Sequence, residues 1–187
     1  MTQVGSPYGV AAVHDVRGVD DRLVLINQQV FASIRDPEIR ALALKLVSGC
    51  PEHGREAEAC EIARIYWFVK QNIAYRQDPY TYDLYATAKR VLQVRAGDCD
   101  CHCVLLGALL GTIGYIPGAR VVSPDGVNWH IYACIGAYPR HAPTVVIPCD
   151  TTQQPAYPGW EPPREMCKYM KQVTFTEARP IIEEIRR

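Results

Sequence analysis

An α+β domain, with one buried helix packed on an antiparallel sheet, is predicted by three features of the chain. Residues 104–113 read VLLGALLGTI behind a capping residue at Asp98, so the helix they form has no polar face to offer water and has to be enclosed. Two strand-like segments, 119–122 and 127–135, flank Pro124-Asp125-Gly126, the chemistry of a turn between antiparallel strands. Between residues 55 and 72, Ala59, Ile62, Ala63, Tyr66, Phe68 and Val69 recur at steps near three and four, which predicts a second helix with one face on the core.

The remaining elements follow in order. Residues 1–35 show no sustained period and read as an N-terminal arm, ending in a strand at 23–26. Asp36-Pro37-Glu38 is a helix start, with aspartate at the cap and proline at the first helical position, and the helix it opens runs over 37–47 before Gly49. The stretch from Tyr75 to Tyr85, with Pro79 and two aspartates, suits an ordered loop with aromatic anchors, and 87–94 a short helix. Gly114 is placed to end the apolar helix in the left-handed conformation. A third strand is predicted at 144–149, then a proline-rich loop holding Gly159-Trp160-Glu161-Pro162-Pro163, and a strand at 172–175. The domain therefore spans 36–175, and 176–187 is a charged tail carrying Ile181, Ile182 and Ile185.

Composition narrows the function. Lysine plus arginine balance aspartate plus glutamate at 20 each, so no net field draws the chain to nucleic acid or to an anionic membrane, and neither is expected as a partner. The first thirty residues lack a cationic start followed by an apolar run, and no eighteen apolar residues stand together. The chain reads as cytosolic at synthesis. Its eight cysteines are too few for a disulfide scaffold at 187 residues. Cys99, Cys101 and Cys103 alternate at the head of the apolar helix, a spacing awkward for separate disulfides and natural for a reactive or metal-binding centre.

Cys99 is the candidate nucleophile. In the first turn of a helix a thiol meets unpaired N–H groups and the positive end of the helix dipole, and such a cysteine with a histidine partner can fall from about 8.5 to roughly 3.5–7.5. Of His14, His53, His102, His130 and His141, only His130 falls in a strand directly after the cysteine helix, and helical geometry aims His102 away from position 99. Alternation puts His130, Tyr132 and Cys134 on one face and Trp129, Ile131 and Ala133 on the other. A loop centred at 139 or 140 would make His130 the cross-strand neighbour of Cys149 or Asp150, and an Asp150 carboxylate there would orient the imidazole and stabilise its protonated form. An oxyanion donor besides the Cys99 N–H is also needed, and Gln93 or a tyrosine of the 75–85 loop could supply it.

The segments GDCDCHCVLLGALLGTIGYIPGARVV, NWHIYACI and VVIPCDTT resemble, in this order, the three core motifs of transglutaminase-like proteins. IYWFVKQNIAYRQDPY upstream and GWEPP downstream are similar to small transglutaminase-like proteins of tailed phages and prophages, and the resemblance covers 36–165. It implies a papain-like fold and a Cys99-His130-Asp150 triad. It also implies cysteine-dependent acyl transfer on peptide or amide bonds, hydrolysis ahead of transamidation, with no cofactor and no metal. The partners implied are a protein or peptide substrate and other phage structural proteins, with incorporation in a phage particle. The chain departs from the pattern at Cys101 and at Ala133-Cys134, where acids often stand.

Two other readings compete. The fold can survive as a non-catalytic virion or assembly module. Alternatively Cys99, Cys101, His102, Cys103, His130, Cys134 and Cys149 offer enough soft ligands for structural zinc, although cysteines one residue apart at the head of an apolar helix do not match the usual C-x2–4-C knuckle.

Overall fold

A computed structural model describes residues 4–5, 10–13, 18–78 and 83–185 of the chain. His14 and residues 79–82 of the tyrosine-rich stretch lie outside the described residues. The elements are β1 (Val4–Gly5), β2 (Val10–Val13), α1 (Val19–Ile34), α2 (Pro37–Val47), α3 (Arg55–Asn72), β3 (Ala74–Tyr75), β4 (Asp83–Ala86), α4 (Ala88–Val94), β5 (Ala96–Gly97) and α5 (Cys99–Gly111). These are followed by β6 (Ile116–Ser123), β7 (His130–Ala137), β8 (Val145–Cys149), a 3-10 turn at Arg164–Cys167, β9 (Tyr169–Thr174) and β10 (Ile181–Glu184). Strands β10-β9-β6-β7-β8 form one antiparallel sheet in that order, β1-β2-β4 a small second sheet, and β3 and β5 a two-residue parallel ladder.

Local chemistry sets the helix starts. The Asp36 side chain accepts from Glu38 N at 2.8 Å, Thr87 caps α4, and Asp98 accepts from Cys101 N at 3.1 Å at the head of α5. Every α5 residue from Cys101 to Leu110 is buried. Each of Leu105, Leu106, Leu109 and Leu110, all fully enclosed, contributes roughly 1.5–3 kcal/mol by leaving water. Gly114, at φ 97°, lets the chain turn out of the helix into β6. One face of the sheet packs on α5 through Ala119, Val121, Ile131, Ala133, Ile135 and Cys149, while Val122, Tyr132, Cys134, Cys167 and Met170 form a smaller cluster on the other. The alternation read for β7 is the one seen.

Three expectations need correction. Residues 23–26 are helical: Leu23, Ile26, Val30 and Ser33 are buried at steps of three and four, which is the period of a helix face, and α1 lies against α5. The second half of the supposed arm therefore packs on the core through α1. The supposed tail contributes β10, paired with β9, and Thr176 exchanges two hydrogen bonds with the buried Asn27 of α1 at 2.9 and 3.0 Å. The tyrosine-rich stretch begins and ends in strand rather than loop, because β3 finds β5 and β4 finds β2 as partners. One feature was not anticipated: Cys50 and Cys60 are joined as a disulfide that closes the loop between α2 and α3. Among the described residues no helix is long and apolar enough to cross a membrane.

Candidate active site

Three elements end at one place. Cys99 opens α5, His130 opens β7, and Asp150 follows the last residue of β8. Gly97 brings the cysteine there: a Cβ at this position would collide with that of Cys101, so only glycine lets the helix start this close to β5. The ladder to β3 holds the approach, with Ala74 N donating to Arg95 O and Arg76 N to Gly97 O, both at 2.9 Å.

Asp150 is fully buried and each of its oxygens is in use. Oδ1 accepts from Thr152 N at 2.9 Å, Thr152 Oγ1 at 2.7 Å and Gln153 N at 3.3 Å, and Oδ2 lies 2.8 Å from His130 Nε2. The loop is pinned from α3, where Tyr66 donates its hydroxyl to Asp150 O at 2.8 Å and Lys70 its ammonium to Gln153 O at 2.6 Å. Burial alone would push the Asp150 carboxyl up; the hydrogen bond and charge of His130, then the Thr152 bonds, outweigh it and hold the group below its ordinary value. An ionised carboxylate has no proton to give, so His130 Nε2 is the protonated nitrogen and Nδ1 is left for another partner. The His130 ring is mostly buried, stacked at a tilt on Tyr132 with centroids 5.8 Å apart.

The thiol lies toward the strand that carries this histidine: the backbone N–H of Ile131, the residue after His130, acts on the Cys99 sulfur and favours its ionised form, and the sulfur lies 3.6 Å from Asp100 Oδ1. Of the six free cysteines Cys99 is the one whose residue is only partly buried; Cys101, Cys103, Cys134, Cys149 and Cys167 are buried. The expected fall in thiol pKa is not found. Burial, then Asp100 and Asp98, push Cys99 well up, against the Ile131 N–H alone. Burial first, and then the two carboxylates of the first turn, favour the neutral thiol over the thiolate.

The strand register also differs from the expectation. Cys149 pairs with Ala133, three residues beyond His130, because the β7–β8 connection is centred at 141 rather than 139 or 140. Asp150 reaches His130 diagonally, past the end of β8, from the same face as Tyr132. His102 points at Thr151 and not at Cys99, with Nδ1 2.8 Å from Thr151 Oγ1. Its Nε2 has no hydrogen bond of good geometry beside the Ala74 carbonyl, and burial lowers its pKa to about 4. Gln93 is exposed on α4, while Tyr75 stands over the first turn of α5 with its ring 6.4 Å from that of His102.

Thr152, Tyr66, Lys70 and the Ile131 N–H are the contributors that sequence reasoning missed. Asp150-Thr151-Thr152 carried a signal, since aspartate followed by hydroxyl residues makes turns in which the carboxylate accepts backbone N–H groups. The zinc donors do not gather. The described residues that could share an ion here are Asp98, Cys99 and Asp100, one thiol and two carboxylates, which is not the cysteine–histidine set of a structural zinc site.

The fold and this end of it define a mixed helix–sheet protein presenting a thiol, an imidazole and a buried carboxylate. No family profile matches the chain, and no curated protein matches it. Among solved structures it is similar to a protein from Cytophaga hutchinsonii whose crystal structure names it, provisionally, a cysteine protease. Identity is 13%, the TM-score 0.47, and the match covers 95% of this chain and 60% of that one. The chain spans about three fifths of that protein's length, and likeness at this level assigns neither family nor activity.

Proposed function

We propose that the chain is a cysteine-dependent acyl-transfer enzyme acting on amide bonds of a protein or peptide, with Cys99 as nucleophile, His130 as acid and base, and Asp150 as the residue that orients the imidazole. One observation carries the reading: His130 spends Nε2 on a buried carboxylate at 2.8 Å, and the N–H of the very next residue acts on the Cys99 thiol. A His–Asp pair can serve structure alone; a thiol beside it supplies a proton to move. A general base gains a fixed tautomer and a stabilised imidazolium.

As the sulfur attacks the carbonyl carbon, the S–H proton passes to His130 Nδ1. The imidazolium returns that proton to the leaving nitrogen as the C–N bond breaks, and a thioester remains on Cys99. Water then attacks the thioester, giving its proton to Nδ1, and the acid departs as the thiol is restored. Water is the acceptor that the resemblance favours over an amine.

The test uses p-nitrophenyl acetate as an acyl donor. The protein should release a nitrophenol burst and carry one acetyl group, located on Cys99 by peptide mass spectrometry. Cys99→Ala and His130→Ala should each remove the burst, and the double variant should be no worse than either single one, because the groups act as a unit. A full burst in Cys99→Ala would sink the assignment; no burst in the unmodified protein would leave the non-catalytic assembly reading in front.

A further inference from the structure

Resting on the acyl-transfer reading above, we propose that Tyr75 is the side-chain donor of the oxyanion site, its phenol O–H directed at the carbonyl oxygen that becomes negative when the Cys99 sulfur attacks. Tyr75 lies opposite Gly97 in the parallel β3–β5 ladder, two residues before the nucleophile. The Arg76 N to Gly97 O bond fixes the level of the two strands. Its ring faces His102, one helical turn beyond Cys99 on α5, at 6.4 Å between centroids. The ring thus lies beside the first turn of α5, whose leading N–H groups have no acceptor within the helix; that of Cys101 is taken by Asp98.

Two further facts separate this role from that of a core-edge aromatic. Tyr75 joins neither apolar cluster and is 52% exposed, so it is not held as a core residue. The groups acting on its phenol are those of the site itself: burial pushes its pKa up first, then Cys99, Asp98, Asp100 and Asp150. The phenol keeps its proton throughout the working range and remains a neutral donor. Gln93, the other side chain the sequence offered, is exposed on α4. In the step itself the S–C bond forms and the carbonyl π pair moves to oxygen, where the Tyr75 O–H and the Cys99 N–H donate to it. The pair then returns to restore C=O as the C–N bond breaks, and the phenol ends with the proton it began with.

Alkylation provides the control, because iodoacetamide reacts at sulfur by displacement and develops no oxyanion. Tyr75→Phe should slow Cys99 acylation by p-nitrophenyl acetate about 100-fold, with KM for the ester unchanged and the iodoacetamide rate within twofold of the unmodified protein. Tyr75→Ala should match Tyr75→Phe if the hydroxyl is what matters, and thermal melts of both variants monitor the fold. Acylation unchanged in Tyr75→Phe overturns the Tyr75 role alone. So does an equal fall in both rates, which would mean that the ring acts through the thiol. An unmodified protein that alkylates at Cys99 but never acylates overturns the acyl-transfer reading, and the Tyr75 role with it.

Discussion

Strands β7 and β8 have a buried carboxylate at each end, and the two ends differ in what closes the network. At the far end Glu58 accepts from Tyr138 N at 2.8 Å and Arg140 N at 2.9 Å, while Glu61 takes the Tyr115 hydroxyl at 2.6 Å and Arg140 Nη2 at 2.7 Å. The Arg140 guanidinium also covers the Tyr115 ring and donates to Ile113 O at 3.1 Å. Every group there is consumed, and arginine does not exchange its proton near neutrality. At the near end Asp150 is as well satisfied, but its partner is a histidine held through Nε2, on the strand whose next backbone N–H acts on the Cys99 thiol. A buried acid with a permanent cation ties a loop; a buried acid with a titratable partner holds a proton carrier in place. Size does not separate the ends in the same way. A cavity of about 720 Å³, lined by Glu58, Tyr138, Arg140, His141 and others, lies at the far end.

The largest expected effect tests that contrast directly. Asp150→Asn should lower the p-nitrophenyl acetate acylation rate by roughly 10²- to 10⁴-fold, because an amide can hold His130 in the wrong tautomer. The matching change at the far end, Glu58→Gln, should leave that rate unchanged and lower only the thermal midpoint. Equal losses of activity would erase the distinction.

A smaller effect comes from the two histidines at the near end. His102 has a folded pKa of about 4 against an ordinary value of about 6.5. Its neutral form is the one the fold accepts, so its contribution is fully present above about pH 6.5 and is lost as pH falls toward 4, amounting to about 3 kcal/mol. Urea midpoints measured between pH 4 and 7 should therefore fall on acidification more in the unmodified protein than in His102→Gln. Parallel profiles would show that His102 is not held neutral, and would remove the difference between a structural histidine and His130.

The smallest concerns Trp129, beside His130. Its ring packs at the edge of the core and is half-buried, so Trp129→Ala should cost roughly 1–2 kcal/mol, below the 3–5 of an enclosed ring. Cys99 should still alkylate in this variant. An unchanged melting midpoint with acylation abolished would put the ring in the substrate path instead.

Much of this was written in the residues themselves. Asp36-Pro37, Thr87 and Asp98 announce helix starts, Gly114 an exit, and the apolar run after Cys99 a helix that has to be enclosed. These were legible because caps, turns and periodicity act within one or two turns of chain. Residues 23–33 were misread although Leu23, Ile26, Val30 and Ser33 carry a helical period, because flanking segments without a pattern hid it.

The sequence by itself determined which residues could do chemistry, and in what order they come: a thiol at a helix head, an imidazole at a strand head, an acid after a strand. Only the tertiary structure decided how they meet. The β7–β8 register depends on how both strands pack against α5 and the rest of the sheet, so counting through the loop put Cys149 or Asp150 across from His130, whereas Asp150 occupies the diagonal. The direction of the Cys99 shift likewise depends on three-dimensional surroundings, because burial and then the carboxylates of Asp100 and Asp98 favour the neutral thiol.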